Sequence, residues 1–185
     1  FALVVSDSVL ITGGAGYIGG HVAWACVEHG YDVSIIDDLR SGSLENVPQR
    51  AKLHRIDLGN EREVQEILEQ LRPSFVVHLA GSVSVPQSIE QPLEYYRNNV
   101  SNSIALIDQC VRAGVGTFVF SSTAAVYGAA QTTMIDEATP LSEKQPLPYN
   151  AAKVVAERLL FSRRRSGRVE AVALRPGIVY GPRSQ

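Results

Sequence analysis

The sequence predicts an α/β protein with a doubly wound parallel sheet of at least six strands and helices on both faces. Three observations lead to this fold class. Short apolar runs rich in β-branched residues alternate with longer segments of helical period, which is typical of βαβ units. A glycine-rich turn joins the first strand to the first helix. The 185 residues are 45% apolar and 19% charged, enough for one core in a single domain.

The apolar runs and the helical periods place each element in turn. Strands are predicted at residues 9–12, 33–36, 52–56, 75–79, 117–121 and 169–174. Helices are predicted at residues 18–29, 61–71, 92–113 and 149–164. Gly30, Gly114 and Gly167 follow three of these helices, and glycine is favoured there because helix ends often adopt a left-handed backbone.

The first strand leads into the sequence T-G-G-A-G-Y-I-G at residues 12–19. Gly14, Gly16 and Gly19 match G-x-G-x-x-G, and Gly13, Gly16 and Gly19 match the variant with one more residue between the first two glycines. After a strand and before a helix, such glycines let the backbone approach a pyrophosphate on the helix N-terminus. The motif predicts that residues 1–185 form a Rossmann-type dinucleotide-binding domain.

Acidic residues follow the second strand. Asp37 lies eighteen residues after Gly19, near the offset of about 20 for a carboxylate that binds an adenosine ribose. Because a carboxylate repels a 2′-phosphate and no cationic partner is expected beside Asp37, the predicted cofactor is NAD rather than NADP. The alternative is an acid that only caps a turn. Other candidates at strand ends are Asp38, Asp57, Leu58, Leu79, Ala80 and Gly81.

The strongest catalytic pattern is Tyr149 with Lys153, four residues apart on a predicted helix. Residues at this spacing share one helix face, so both side chains can point into one cleft. A nearby cation favours phenolate, so the pKa of Tyr149 is expected to fall from about 10 toward neutrality and to make the phenol a general base. The hydroxyls of S-S-T, just after the fifth strand, can bind the same substrate oxygen.

Taken together, these motifs resemble the extended short-chain dehydrogenase/reductase family, and within it the NAD-dependent nucleotide-sugar epimerases. The resemblance covers essentially the whole chain. It rests on T-G-G-A-G-Y-I-G, D-D-L-R-S-G-S, H-L-A-G, the Asn98-Asn99-Val100 segment, S-S-T-A-A-V-Y-G, Y-N-A-A-K and L-R-P-G-I-V-Y-G-P-R.

The resemblance implies a role for several residues. Thr123 is expected to hydrogen-bond the reacting oxygen and Tyr149 to be the acid/base. Lys153 is expected to hold the nicotinamide ribose and lower the Tyr149 pKa, and Asn99 to order the active-site end of its helix. The implied cofactor-binding set is Gly13, Gly16, Tyr17, Ile18, Gly19, Asp37, Asp38, Asp57, Leu58, Leu79, Ala80, Gly81, Asn99, Ser121, Tyr149, Lys153 and Pro176.

The reaction implied by the resemblance is 4-epimerisation of a nucleotide sugar, of the UDP-glucose/UDP-galactose type, through a 4-keto intermediate. Three alternatives stay open. Dehydration is disfavoured because the 4,6-dehydratases carry an Asp-Glu pair where this chain has Ala124 and Ala125. The second alternative is a dehydrogenase or reductase of a related sugar nucleotide, and the third is a non-catalytic NAD-binding module. Ile178 replaces the Asn of the family's L-R-x-x-N motif, which weakens the substrate assignment.

Composition and net charge limit the classes of partner and site that are expected. The net charge of −2 disfavours nucleic acid and anionic membranes and favours a small molecule, here a nucleotide sugar. No apolar run approaches the roughly 18 residues of a membrane span, so a cytoplasmic protein is expected. Cys26 and Cys110 are expected to be buried thiols, and the four histidines lack ligand spacing, so no metal site is predicted.

Two expectations concern contacts with a second domain and with a second copy of the chain. The chain ends just after the sixth strand, so it is expected to be a fragment of a two-domain enzyme that lacks the substrate domain, exposes an apolar patch there, and is inactive alone while still binding NAD. The apolar face of the last helix is expected to be either core or the surface of a homodimer. Its residues are Ala151, Ala152, Val155, Ala156, Leu159 and Leu160.

Overall fold

A computed structural model describes residues 7–128, 134–142, 147–165, 167 and 169–182. Its strands are β1 (Ser8–Thr12), β2 (Asp32–Ile36), β3 (Lys52–His54), β4 (Phe75–His78), β5 (Thr117–Ser121) and β6 (Glu170–Leu174). Its α-helices are α1 (Tyr17–Glu28), α2 (Glu61–Leu71), α3 (Val85–Glu90), α4 (Pro92–Tyr96), α5 (Asn102–Ala113) and α6 (Pro148–Arg165). Short 3₁₀ helices at Leu44–Asn46 and Ala124–Tyr127 and a π-helical turn at Arg97–Ser101 complete the description.

The six strands form one parallel sheet in the order β3-β2-β1-β4-β5-β6. The chain therefore runs outward in one direction from β1 to β3, returns, and continues through β4 to the other edge. The point where the order reverses lies between β1 and β4, and ligands of such sheets bind there, beyond the carboxyl ends of the strands. The predicted fold class is confirmed.

Alternate residues of the central strands enter two separate cores, because successive side chains of a strand point to opposite faces. Leu10 packs with Phe118 and with residues of α2, α5 and α6. Val9 and Ile11 pack on the other face against α1. Helices thus cover both faces of the sheet. Within the described part of the chain, no helix is long and apolar enough to cross a membrane.

The element bounds differ from the prediction in a few places. Helix α2 begins and ends where predicted, but β3 ends at His54 because the Ile56 N–H turns back to bond the His54 carbonyl. Helix α3 was missed, although Ser84 caps it and a proline lies in its first turn. The single helix predicted at 92–113 is divided by the π-helical turn. Cys110 is buried, but Cys26 is only half-buried, so that prediction was wrong for Cys26.

Helix α6 and strand β6 carry the residues of two predicted surfaces, the homodimer surface and the exposed apolar patch. Ala152, Ala156 and Leu160 are buried in the core, whereas Val155 is 39% exposed. The buried side of α6 is therefore core, and homodimer pairing stays a prediction. The predicted exposed apolar patch is present around β6 and the segment that follows it, and what covers it stays a prediction. Its residues are Val172, Leu174, Ile178, Val179 and Tyr180.

Candidate active site

A cleft of about 790 Å³ opens at the carboxyl ends of the strands. Its wall is built by the turns after β1, β2, β3, β4 and β5, by the start of α6 and by the segment after β6. All predicted site residues except Asn99 line it: Gly13, Gly16, Tyr17, Ile18, Gly19, Asp37, Asp38, Asp57, Leu58, Leu79, Ala80, Gly81, Ser121, Thr123, Tyr149, Lys153 and Pro176. The structure thus brings the glycine turn and the Tyr149 helix to one cavity.

The glycines of the turn after β1 serve two different needs. Gly13 has a φ of +72°, and a Cβ there would lie 2.6 Å from the Ala80 nitrogen. A Cβ on Gly19 would lie 2.0 Å from the Gly13 carbonyl oxygen. Both positions therefore need glycine for the protein's own packing. A Cβ on Gly16 would meet only the Gly13 oxygen, at 3.3 Å, so its missing side chain leaves room in the cleft.

The N-terminus of α1 faces the space in the cleft that the missing side chain of Gly16 leaves open. Gly16 is its N-cap residue, and among the described residues no side chain caps the first turn or places an acid there. The first N–H groups of a helix lack intrahelical partners and carry partial positive charge, so they attract an anion. At the other end of the cleft, the hydroxyl of Ser122 is buried and has no hydrogen-bond partner within the described residues. Both observations fit a dinucleotide.

Asp37 fixes the turns at the second strand end. One carboxylate oxygen accepts the Ala15 N–H at 2.9 Å and the other accepts the Leu39 N–H at 2.8 Å, where Leu39 has a φ of +61°. The carboxylate therefore joins the glycine turn to the turn after β2. Each oxygen retains a lone pair, so Asp37 can still accept a hydrogen bond from a ligand hydroxyl.

A cation lies beside Asp38 and Asp57, the neighbours of Asp37 in the cleft wall, and the sequence did not predict it. One Arg40 guanidinium nitrogen lies 2.7 Å from an Asp57 oxygen and 3.1 Å from an Asp38 oxygen. Sequence spacing could not predict this contact, because it does not show where a long side chain points. Other residues of the cleft wall that the sequence did not single out are Ile36, Ser41, Ile56, Ser82, Val83, Ser84, Gln87, Glu94, Asn98, Ser122, Gly177 and Val179.

Thr123, Tyr149 and Lys153 meet at one end of the cleft. Thr123 precedes the 3₁₀ helix Ala124–Tyr127, and its hydroxyl oxygen accepts the Ala125 N–H at 3.2 Å. Lys153 is 5% exposed, and its ammonium donates to the Ser121 carbonyl at 2.8 Å. The ammonium also lies 4.9 Å from the centre of the Phe120 ring. A phenol, a hydroxyl and an ammonium thus lie together in a largely buried part of the cleft wall. This arrangement suits proton exchange with an alcohol.

The prediction for the Tyr149 pKa is wrong in this structure. Burial raises the pKa of Tyr149 above its ordinary value, and a hydrogen bond with the Thr123 side chain lowers it in part. The Tyr95 side chain adds a smaller upward effect on this pKa. Loss of water around the phenol therefore outweighs the effect expected from Lys153, and the phenolate needs further positive charge at the site.

Burial lowers the pKa of Lys153 from 10.5 to about 8, although Glu157 raises it in part. Between these two pH values the unfolded chain binds more protons than the folded chain. The free energy of unfolding should therefore rise with pH across this window, by up to roughly 3 kcal/mol. We expect urea unfolding to show this rise in the unaltered chain but not in Lys153→Met. Parallel pH profiles of the two would contradict the assignment, and Lys52→Met, at an exposed lysine, is the control.

Asn99 lies behind the cleft wall rather than in it. It is buried, its amide nitrogen donates to the Ser82 carbonyl, and its amide oxygen accepts the Ser82 N–H, both at 2.8 Å. This pairing ties the π-helical turn to the segment after β4. These contacts are those of a residue that orders the wall, and the predicted contact of Asn99 with the cofactor stays a prediction.

His78 forms a polar connection beneath the cleft. The Ser103 hydroxyl donates to the Asn99 carbonyl, so ring atom Nε2 must donate to the Ser103 oxygen, at 2.8 Å. Ring atom Nδ1 then accepts the Thr12 hydroxyl at 2.6 Å. Burial, with a smaller effect of Lys153, lowers the pKa of His78 to about 3. The ring is therefore neutral and satisfied, and it joins β1, β4 and α5.

Comparison with known proteins gives consistent findings. Residues 9–185 match the model of the NAD dependent epimerase/dehydratase family. The UDP-glucose 4-epimerase of Azospirillum brasilense is 44% identical over 155 residues, which are 84% of this chain and 44% of that protein. The chain spans about half the length of the curated relatives it matches.

Solved structures of similar proteins have the same fold. The UDP-glucose 4-epimerase of Thermotoga maritima, solved with UDP-glucose, superposes with a TM-score of 0.91 at 33% identity, over 96% of this chain and 58% of that one. The UDP-glucose 4-epimerase of Thermus thermophilus, solved with NAD, gives a TM-score of 0.91 at 35% identity, over 96% of this chain and 57% of that one.

Proposed function

Because this chain belongs to the NAD dependent epimerase/dehydratase family, we propose that it forms the NAD-binding part of a nucleotide-sugar 4-epimerase that interconverts UDP-glucose and UDP-galactose. One observation carries the proposal: an uncapped helix N-terminus and three hydrogen-bonding side chains line a single cleft. The helix N-terminus lies at Gly16, and the three side chains are those of Thr123, Tyr149 and Lys153. This arrangement suits a dinucleotide whose redox end reaches the reacting alcohol.

The residues present fit NAD. The helix N-terminus at Gly16 would hold the pyrophosphate, and Asp37 would accept the adenosine ribose hydroxyls. Lys153 would hold the nicotinamide ribose. The chemistry that NAD supplies when bound is reversible hydride transfer at C4 of the sugar, through a 4-keto intermediate.

The protein's own residues would handle the proton. Tyr149 would take the proton of the sugar 4-hydroxyl and return it after the configuration at C4 has inverted. Thr123 would hydrogen-bond the same oxygen and keep it oriented. Burial raises the pKa of Tyr149 even with the Lys153 ammonium one helical turn along, so Lys153 would supply only part of the positive charge that the phenolate needs.

The cleft wall argues against dehydration. Elimination of water needs an acid and a base beside the substrate, and the two residues after Thr123 are alanines that begin a 3₁₀ helix. The carboxylates among the described cleft residues are Asp37, Asp38, Asp57 and Glu94. The three aspartates lie at the ends of β2 and β3, away from Thr123, so among the described cleft residues Glu94 of α4 is left as one carboxylate where the dehydratases of the family use a pair. Epimerisation is therefore the better supported reaction of this family.

Turnover distinguishes the epimerase from a dehydrogenase. UDP-galactose is incubated with substoichiometric NAD and with these 185 residues or a longer chain that contains them. An epimerase forms many molecules of UDP-glucose per NAD, because each catalytic cycle regenerates the cofactor. Accumulation of NADH in step with an oxidised sugar would instead support a dehydrogenase.

A single glycine tests the cofactor site. We expect Gly16→Ala to weaken NAD binding by at least about tenfold, because the added Cβ enters the space at the helix N-terminus that the pyrophosphate would occupy. The fold should be retained, since Gly16 has a φ of −72° and its Cβ would meet only one backbone oxygen. Calorimetric titration of NAD measures the affinity. Gly116→Ala, outside the described cleft wall, where a Cβ would likewise meet one backbone oxygen at 3.3 Å, is the matched control, and equal losses in both variants would contradict the assignment.

A further inference from the structure

Arg175 connects two helical elements behind the cleft. Its guanidinium donates to both carboxylate oxygens of Glu157 on α6, at 3.0 and 2.8 Å. It also donates, at 2.8 Å, to the hydroxyl of Tyr127, the last residue of the 3₁₀ helix that follows Thr123. The central guanidinium carbon lies 5.2 Å from the centre of the Tyr127 ring. Arg175 is therefore held by α6 and by the 3₁₀ helix at once.

The backbone around Arg175 in turn holds the segment that carries Thr123. The N–H group of each residue that flanks Thr123 donates to the carbonyl of a residue that flanks Arg175, and both distances are 2.8 Å. These bonds join Ser122 to Leu174 and Ala124 to Pro176. Thr123 itself has an extended backbone, with a φ of −158° and a ψ of 148°. The position of Arg175 therefore determines where Thr123 lies in the cleft wall.

Glu157 connects this segment to the helix that carries the phenol. Tyr149, Lys153 and Glu157 follow one another in α6 at intervals of four residues, so they lie along one side of the helix. Two parallel hydrogen bonds between a guanidinium and a carboxylate fix the distance and the orientation of both groups. Because Glu157 is also 1% exposed, the ion pair ties the helix of Tyr149 firmly to the backbone that holds Thr123.

Any effect of this ion pair on the reaction has to be indirect. Thr123 and Tyr149 line the described cleft wall, whereas Tyr127, Glu157 and Arg175 do not. Proton transfer requires the hydroxyl and the phenol to reach the same substrate oxygen. Such geometry is sensitive, because a displacement of about 1 Å can lower a rate by about 100-fold. A residue outside the cleft wall can thus control the rate through the distance between these two groups.

We propose that Arg175 is a positioning residue, which holds the Thr123 hydroxyl in register with the Tyr149 phenol through its ion pair with Glu157. This inference rests on the proposed function, because it requires Thr123 and Tyr149 to act on one substrate oxygen. The buried ion pair then contributes to the rate of the reaction as well as to stability.

The test replaces both partners by apolar residues, as Glu157→Leu with Arg175→Met. No buried charge is left unpaired in this double variant, so the fold should be retained. The Thr123 segment loses its tie to α6. We expect kcat with UDP-galactose to fall by at least about tenfold, while KM and the affinity for NAD change by less than about threefold. The assay uses the form of the protein that turns over this sugar, and calorimetric titration measures the NAD affinity.

Two further variants separate positioning from stability. Tyr127→Phe removes one contact of the guanidinium and keeps the ion pair, and we expect kcat to fall by at least about threefold. Leu68→Ala truncates a buried side chain of α2, outside the described cleft wall, and so destabilises the protein without altering the cleft. Measured well below its Tm, Leu68→Ala should keep the kcat of the unaltered protein.

The possible results separate this role of Arg175 from the proposed function. If the unaltered protein interconverts the sugars and the double variant keeps kcat within about threefold, Arg175 does not position Thr123 and the proposed function stands. An equal fall of kcat in Leu68→Ala also overturns the inference, since loss of stability would then explain the effect. If the double variant does not fold, Tyr127→Phe decides alone, and an unchanged kcat overturns the inference. If the unaltered protein does not interconvert the sugars with NAD, the proposed function fails and this inference fails with it.

Discussion

Tyr149→Phe is expected to lower the turnover of UDP-galactose by about 10²- to 10⁴-fold, which is the usual contribution of general acid/base catalysis. The substitution removes the hydroxyl that would take and return the sugar proton and keeps the ring that packs beside Thr123. NAD binding should survive, because the proposed pyrophosphate and adenosine contacts, at Gly16 and Asp37, lie elsewhere in the cleft. The assay uses whichever form turns over the sugar, these 185 residues or a longer chain that contains them.

A matched control removes a phenol hydroxyl far from the cleft. Tyr31 is 37% exposed and lies between α1 and β2, so Tyr31→Phe should leave turnover unchanged. If Tyr149→Phe also retained turnover within a few fold of the unaltered protein, Tyr149 would not be the acid/base. Loss of NAD binding in the same variant would instead indicate that Tyr149 acts mainly in holding the cofactor.

The largest expected effect on stability comes from Glu157. Its carboxylate is 1% exposed and accepts two hydrogen bonds from Arg175, at 3.0 and 2.8 Å. Arg175 also donates to the Tyr127 hydroxyl at 2.8 Å. These contacts tie α6, the segment after β6 and the 3₁₀ helix that follows Thr123. The hydrogen bonds with Glu157, together with its nearby charge, raise the pKa of Arg175, so the guanidinium stays charged.

We expect Glu157→Gln to destabilise the chain by about 3 kcal/mol, since it leaves a largely buried guanidinium without its counter-charge. For a protein of this size, that loss corresponds to a fall in Tm of roughly 6–12 °C. Thermal unfolding followed by circular dichroism measures it. Replacing both partners, as Glu157→Leu with Arg175→Met, should cost less than Glu157→Gln alone, because no buried charge is then left unpaired.

Asp108 provides the control for this ion pair. It contacts Arg112 and Arg163, and these arginine side chains are 71% and 45% exposed. Asp108→Asn should therefore change the free energy of unfolding by less than about 1 kcal/mol. An equal loss at both positions would show that burial does not determine the contribution of Glu157.

Much of the fold could be predicted because buried strands and helix faces place apolar residues at regular positions in the sequence. The apolar runs indicated all six strands, and the strongly amphipathic α2 was predicted to the residue. The differences arise where local contacts override the pattern. Helix α3 has only six residues, too few for a clear period, and the π-helical turn depends on Asn99, which bonds a distant backbone at Ser82.

The candidate site was predicted to a similar extent. Glycines and acids at strand ends identify the cleft, because the topology brings the carboxyl ends of parallel strands to one edge. The orientation of Arg40 and the balance of effects on Tyr149 could not be predicted. The first depends on side-chain conformation, and the second on how much water burial removes from the phenol.

A crystal structure of the chain with NAD would test the proposed cofactor site most directly. We expect the pyrophosphate to lie against the N-terminus of α1 at Gly16, the adenosine ribose against Asp37, and the nicotinamide ribose against Tyr149 and Lys153. A dinucleotide bound outside this cleft, or bound with its adenine at Tyr149, would show that the site has been assigned wrongly.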